Sequence, residues 1–282
     1  MTTLSISEVI KNIRDLPALP VIVIELLTTL ENENTSTGVL AEKVSHDQAL
    51  TAKTLRLANS SFYGMPSKVT SIQQAIAILG YDSVRTLVVA ASVNGTFSGS
   101  KHATFQFQAF WRHSVATALC AKSLARQLRA NEDHAFMLGL LHDIGRLVLV
   151  TRAPEHYEKV LAYQKAQDCY LIEAERTLLG LDHAMVGRAL AEYWKFPVLM
   201  QKAIESHHAP ELQGAGSLAC IVHVADCIAH ALDLSGDDRD LVPPVSALAW
   251  NGLNLDQEAM MRVYRETEMQ FEEACQILVS IT

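Results

Sequence analysis

No two cysteines in this chain are spaced as a metal knuckle or a disulfide staple would need. The five it has (Cys120, Cys169, Cys220, Cys227 and Cys275) are scattered, odd in number and never in a CxxC pair. That excludes a disulfide framework and a zinc knuckle. Glycine and proline are sparse, 13 and 8 residues in 282, so neither a disordered chain nor a turn-rich β-protein is expected. Basic charge is short as well: 23 Lys and Arg stand against 31 Asp and Glu, for a net charge of −8. That balance argues against a general nucleic-acid surface while leaving room for a local basic patch. The N-terminus has no basic segment followed by an apolar run, and no apolar stretch of about 18 residues is apparent. The expectation is a cytoplasmic protein that makes no use of a membrane. What is abundant is hydrophobic side chains, 49 % of the chain, enough for an ample core in one large domain or two modest ones.

These hydrophobic residues recur at helical spacing between recognisable caps. Residues 4–14 suit a short helix, broken by Leu16-Pro-Ala-Leu-Pro20, and Pro20 then suits the first turn of a helix over 21–30. Thr35 or Ser36 can cap a helix through Val44, and Asp47 caps the next, with Leu50, Leu55, Leu57 and Ala58 as its apolar positions. Ser71 caps a helix over Ile72 to Leu79, Gly80 ends it, and Asp82 caps another through Val93. Asn94 to Ser100 reads as a linker. Further helices are expected over 105–128, from 132 through the apolar run ending at Val150, over 154–167 and 171–179, after an N-cap at Asp182, over 218–232 and over 256–281. Residues 233–244 read as an acidic loop. No strand pair is convincing, so the predicted fold class is all-α.

The chain is organised around His134 to Val150, apolar almost throughout, with His142 and Asp143 side by side in its middle. A buried imidazole beside a buried carboxylate is costly unless both are paired or bind a metal. Both suit a divalent ion, and a carboxylate can bridge two of them. Gly145 permits close approach of a neighbouring backbone. The competing reading is a core histidine paired with its neighbour. The flanking Gly-Leu-Leu-His-Asp-Ile-Gly-Arg resembles the signature of the HD superfamily of metal-dependent phosphohydrolases. That resemblance implies that His142 and Asp143 ligate a divalent metal, helped by an upstream His and a downstream Asp on other helices. His113, 29 residues before His142, matches the first of these; the alternative for it is a satisfied core histidine. Asp226, in the apolar helix 218–232, matches the last; the alternative is a ladder with His223 and His230 at i−3 and i+4.

Two more segments carry the resemblance further. His183, in the first helical turn after Asp182, is favoured as a neutral imidazole by the partial positive charge there. The pattern His183-x-x-x-Gly187 followed by Trp194-x-x-Pro197 resembles the segment that supplies a second-metal ligand in the HD-GYP cyclic-dinucleotide phosphodiesterases. His207-His208 resembles their His-His pair, with polar residues at a helix C-terminus as the alternative. Ala209 stands where they have Glu, Arg146 where they usually have Lys, and no Gly-Tyr-Pro follows. The N-terminal motifs are Leu16-Pro-Ala-Leu-Pro20, the run from Ser45 to Ser61, and Ser71-Ile-Gln-Gln-Ala-Ile-Ala-Ile-Leu-Gly80 with Val84-Arg85. In this order they resemble the HDOD family, HD-related output domains, an all-helical bacterial signalling module.

The resemblance implies an HDOD lobe over 1–98 and an HD-like metal lobe over 99–282. It implies one or two divalent transition-metal ions at His113, His142, Asp143, His183, His207, His208 and Asp226. Nitrogen-rich, thiolate-free donors favour iron, manganese, zinc or nickel over magnesium; iron is the first expectation. Asp143, facing both positions, is the candidate catalytic residue. Two function classes follow. One is a signal-output adaptor whose metal is structural; the other is a phosphohydrolase acting on a nucleotide or a cyclic dinucleotide. Expected partners are signalling proteins of a two-component or cyclic-dinucleotide pathway and a phosphate-containing small molecule. A third reading takes residues 37–59 as helix-turn-helix, presenting Gln48, Thr51, Lys53 and Arg56 to DNA. The acidic balance sets that reading last.

Overall fold

The computed structural model describes residues 13, 16, 19, 21–28, 37–45, 47–59, 68–97, 104–237 and 239–278. Among them every regular element is helical, as the capped, helix-period segments predict. The N-terminal part contributes α1 (Val21–Thr28), α2 (Thr37–Ser45), α3 (Gln48–Ala58), α4 (Ile72–Leu79) and α5 (Tyr81–Phe97). Then come α6 (Phe107–Gln127), α7 (Glu132–Leu141), α8 (Ile144–Arg152), α9 (Pro154–Gln167), α10 (Leu171–Leu179), α11 (His183–Tyr193) and α12 (Val198–Ser206). A 3₁₀ turn (Pro210–Leu212), α13 (Leu218–Ala231), α14 (Ala247–Leu253) and α15 (Gln257–Leu278) complete them.

Local signals set several of these boundaries. Ser71 Oγ accepts the Gln74 N–H at 3.1 Å. Gly80 takes φ +86° and donates its N–H to Ile76 O at 2.9 Å, closing α4. Asp182 Oδ1 accepts the Met185 N–H at 2.9 Å and so caps α11. Two expectations fail nearby. Asp82 is not a cap, since α5 already begins at Tyr81; Asp82 lies in its first turn and pairs with Arg85 at 2.7 Å. Nor does α5 stop at Val93: Asn94 to Phe97, expected as linker, stay helical. Phe97 is buried and its ring meets that of Trp194 at 6.1 Å, so tertiary burial overrides the Asn-Gly breaker signal. The rest of that linker, most of the expected 4–14 helix and the Thr35/Ser36 cap lie outside the described residues.

In the 37–59 segment Asp47 Oδ1 accepts the Leu50 N–H at 2.9 Å, capping α3. Thr51 Oγ1 donates to Val44 O at 2.8 Å, which spends one of the proposed base-reading side chains on closing the α2–α3 turn. Gln48 and Arg56 are exposed; the Lys53 side chain lies outside the described residues.

Helix α6 runs through the middle of the second part, with α7, α13 and α15 packed around it. Small residues permit the closest crossings. A Cβ on Gly139 of α7 would lie 2.7 Å from Ala118 Cα on α6. A Cβ on Gly145 of α8 would fall inside the His183 carbonyl oxygen and 2.6 Å from the Gly187 nitrogen on α11. Helix α15 locks onto the outer face of α6 through Glu266 with Ser123 at 2.6 Å and Glu272 with Arg112 at 2.7 Å. Contrary to the reading that no stretch is apolar enough to span a membrane, Glu132–Arg152 reaches a mean hydropathy of 1.2. Its most apolar window is 89 % buried inside the protein, which is where an apolar core helix belongs.

Candidate metal centre

The central apolar run was expected to continue through His142 and Asp143 as one helix. It breaks there instead. Asp143 adopts φ −98° and ψ 11°, and α8 restarts at Ile144, with the Arg146 N–H donating to Asp143 O at 2.9 Å. The break lets neighbouring residues serve different sides. His142 reaches α6 and α13, while Asp143 reaches α11 and the end of α12. Gly139 before the break and Gly145 after it hold the two arms tightly against α6 and α11.

The seven residues expected to bind metal converge in two adjoining groups. In the first, His113 Nε2 lies 3.0 Å from Asp226 Oδ1, His142 Nε2 lies 3.5 Å from the same oxygen, and the two Nε2 atoms are 3.4 Å apart. In the second, Asp143 Oδ1 lies 3.2 Å from His183 Nε2 and 3.5 Å from His207 Nε2, and His183 Nε2 is 2.9 Å from His208 Nε2. Asp143 Oδ1 is also 3.5 Å from His142 Nε2, so it stands between the groups. Within each group the donor atoms all fall within 4.8 Å of one another. All seven are buried except His208, which is half-buried.

The surroundings fix which nitrogen each ring presents. His142 Nδ1–H donates to Gly139 O at 2.7 Å, and His207 Nδ1–H donates to Ile204 O at 2.7 Å. His183 Nδ1–H donates to Glu175 Oε2 at 2.6 Å. Each ring therefore turns its Nε2 lone pair toward the centre. His207 Nε2 is buried and has no hydrogen-bond partner. An orphaned acceptor among converging imidazoles and carboxylates is costly without a cation, and this donor set fits a divalent metal.

Burial alone would raise the Asp143 carboxyl, but His142, His183 and Arg146 hold it well below the usual carboxylate range. Asp226 is likewise driven up by burial and more strongly down by His230, His113 and His142. Burial, with His207 and His183 alongside, holds His208 well below the ordinary histidine range. Burial works against charge on Arg146 too, yet Tyr157, Asp143 and Asp240 raise its pKa well above the usual value. Its Nη1 donates to Asp143 Oδ2 at 2.9 Å, leaving Oδ1 for the histidines.

Several residues of the site escaped the sequence reading. Glu175 is fully buried, accepts the His183 backbone N–H at 2.8 Å as well as its ring N–H, and receives the Tyr157 hydroxyl at 3.3 Å. Its signal was present: it shares a helix face with Leu171, Leu178 and Leu179. The His–Asp–His ladder on α13, the alternative reading of Asp226, is only half formed. His230 Nε2 lies 3.4 Å from Asp226 Oδ1. His223 turns away, donating from Nδ1 to His207 O at 2.7 Å and accepting the Ser246 N–H on Nε2 at 2.8 Å. A cavity of about 230 Å³ opens onto Asp143, His183, His208 and Asp226, with Arg146 and Arg176 beside them. The loop after α13 closes one wall with Asp240, Leu241, Pro243 and Pro244.

The described residues form an all-helical bundle with two adjoining His/Asp groups under a cavity, groups that could hold metal ions. The HDOD domain family matches residues 16–210, and the chain belongs to that family. Among solved structures it resembles an HDOD domain protein from Geobacter sulfurreducens, 22 % identical with a TM-score of 0.82, covering 99 % of both chains. It also resembles a candidate phosphohydrolase from Shewanella amazonensis SB2B, 29 % identical with a TM-score of 0.78, covering 97 % of this chain and 98 % of that one. A curated relative from Treponema pallidum (strain Nichols), an uncharacterized protein, is 26 % identical over 219 residues, 74 % of this chain and 42 % of the relative. The chain spans less than half the length of the curated relatives it matches.

Proposed function

We propose that this HDOD protein joins signal output to a metal-dependent phosphohydrolase activity, with Asp143 as the catalytic residue between two cation positions. The observation that carries the proposal is the cavity of about 230 Å³ opening onto both ligand groups. A metal kept for structure alone is closed off by protein donors, whereas a catalytic one keeps an open position. Divalent ions bound here would supply a hydroxide and neutralise phosphoryl charge. The chain's own residues do the rest. Glu175 fixes the His183 ring, and Arg146 fixes Asp143 through Oδ2. The Arg146 guanidinium also lines the cavity and offers a lasting positive charge to a phosphate oxygen. Tyr170, Leu171, Ile172, Pro243 and Pro244 give the opposite wall an apolar surface. The volume lies below the ~300–1,000 Å³ of pockets for drug-sized ligands. That favours a phosphate ester of mononucleotide size or smaller over a cyclic dinucleotide.

The reading keeps iron as the first metal, with manganese, zinc or nickel behind it. It keeps the HDOD lobe at 1–98 and the metal lobe at 99–282, and it takes signalling proteins of a two-component or cyclic-dinucleotide pathway as partners. The experiment is elemental analysis of protein purified without chelator, followed by hydrolysis of mononucleotides, cyclic dinucleotides and simple aryl phosphates. Bound metal and cleavage of a small ester, both lost in Asp143→Asn, are expected. Metal-loaded protein inert toward every ester returns the function to the adaptor reading. Metal-free protein that binds none on addition refutes the centre.

A further inference from the structure

We infer that the contact between Arg85 on α5 and His134 on α7 is an acid-labile latch. It holds α5 against the helix that leads into the two His/Asp groups while His134 is neutral, and it opens when that ring takes up a proton. Arg85 is buried. His134 is half-buried in the first turn of α7, whose chain runs on to His142 and Asp143. Arg85 Nη2 lies 3.1 Å from His134 Nε2. A guanidinium stays protonated and has no lone pair to offer, so it is the donor and Nε2 the acceptor. Only the neutral ring, with its proton on Nδ1, makes this bond. A proton on Nε2 would set two cations against each other at that distance beside a buried charge, where repulsion is weakly screened.

The surroundings give a protonated ring little relief. On α5, Asp82 is the carboxylate that acts on His134, and its Oδ1 is already engaged by Arg85 Nη2 at 2.7 Å. On α7, Asp133 accepts the Ser83 hydroxyl at 3.2 Å and is held by the charge of Lys122 on α6. Glu132 pairs with Arg126 at 2.8 Å. From the side of α12 and α13 the ring meets apolar groups, Pro197, Leu199, Met200 and Leu218. Burial first and Arg85 second therefore hold His134 below the ordinary histidine range, against the pull of Asp82. A base whose pKa is depressed by a contact favours that contact fully above its free pKa, about 6.5, and loses the benefit as pH falls below it. The Ser83–Asp133 bond and the Phe97–Trp194 ring contact do not depend on the charge of His134, so acid loosens α5 without detaching it.

The test follows backbone hydrogen exchange of α5 in the full chain from about pH 7.5 to about pH 5, corrected for the intrinsic pH dependence of exchange. The unsubstituted chain should lose protection there as pH falls through the histidine range. His134→Gln keeps an acceptor that takes no proton, so its α5 should stay protected. The histidines of the two His/Asp groups are present in both proteins and cancel in the comparison. Asp82→Asn, at a partly exposed side chain, removes the offsetting carboxylate and should deepen the acid loss; it carries the test if His134→Gln misfolds. Equal losses in the unsubstituted chain and His134→Gln overturn the latch. So does an unsubstituted chain that keeps its protection throughout, or an Asp82→Asn loss no greater than that of the unsubstituted chain.

Discussion

Gly145→Ala separates two opposed effects at one position. In an unobstructed helix, alanine stabilises relative to glycine by roughly 0.5–1 kcal/mol, because it restricts the unfolded chain. At Gly145 the added methyl would meet the backbone of α11, the His183 carbonyl and the Gly187 nitrogen, the latter at 2.6 Å. Backbone cannot rotate away as a side-chain tip can. Restoring an ordinary separation of ~3.5 Å moves α8 and α11 apart by about 1 Å for the Gly187 nitrogen alone, and by more for the His183 carbonyl. Overpacking of this kind costs ~1–3 kcal/mol, and the upper end applies where both neighbours are main chain. For a chain of this size that corresponds to a melting temperature about 6–12 °C lower. The same displacement carries His183 away from Asp143, and metal bonds tolerate departures of only about 0.2 Å. The second ligand group should therefore lose its ion while the first, on the other side of the break, keeps its own. Circular-dichroism melts and elemental analysis on the same preparation measure both. A variant that melts at or above the parent temperature with its metal intact refutes the account of this crossing.

Glu175→Gln keeps the shape of the group that orients His183 but removes its charge. Metal affinity should fall about 10–100-fold, measured by competition with a chromophoric chelator, and an unchanged affinity would remove Glu175 from the site. The thiols give a probe of the packed state. Burial pushes the Cys120, Cys227 and Cys275 thiols up to about 12, and the thiolate is the reactive form. With a chromogenic disulfide reagent at pH 8, half-buried Cys169 should react first and these three only on unfolding. Rapid native reaction of Cys120, identified by mass spectrometry, would contradict the packing of α15 over α6.

How much of this was legible in the sequence depended on the range of the signal. The Ser71 and Asp182 caps, the Gly80 stop and the helices over 154–167 and 171–179 rest on residues within a turn of each other, and they stand where the sequence put them. The residues of the two His/Asp groups were legible because polar side chains on otherwise apolar helices must be satisfied somewhere. Features set by distant packing were not. Nothing near Asn94-Gly95 announces that Phe97 is held by Trp194. The break at Asp143 depends on groups from several helices that meet only in the folded chain. Nothing local to Tyr157 announces that it is fully buried against Glu175. Helix α14 within the C-terminal third went unread, as did the approach of Asp240 to His230.

The clamp of α15 on α6 also orders events at the ribosome. His113, His142, Asp143, His183, His207 and His208 are all translated before Asp226, and Asp226 before the helix that covers α6. At roughly 5–20 residues per second, the 70 residues between His208 and Leu278 take about 4–14 s to appear. Over the first 18 of those residues the nascent chain displays histidines and one aspartate without the carboxylate of Asp226, and over the rest it still lacks the outer support of the helix bearing His113. A cation captured then would meet an unfinished and exposed set of donors. Selection of the correct metal therefore falls to the completed fold, after translation has passed the final turn of α15.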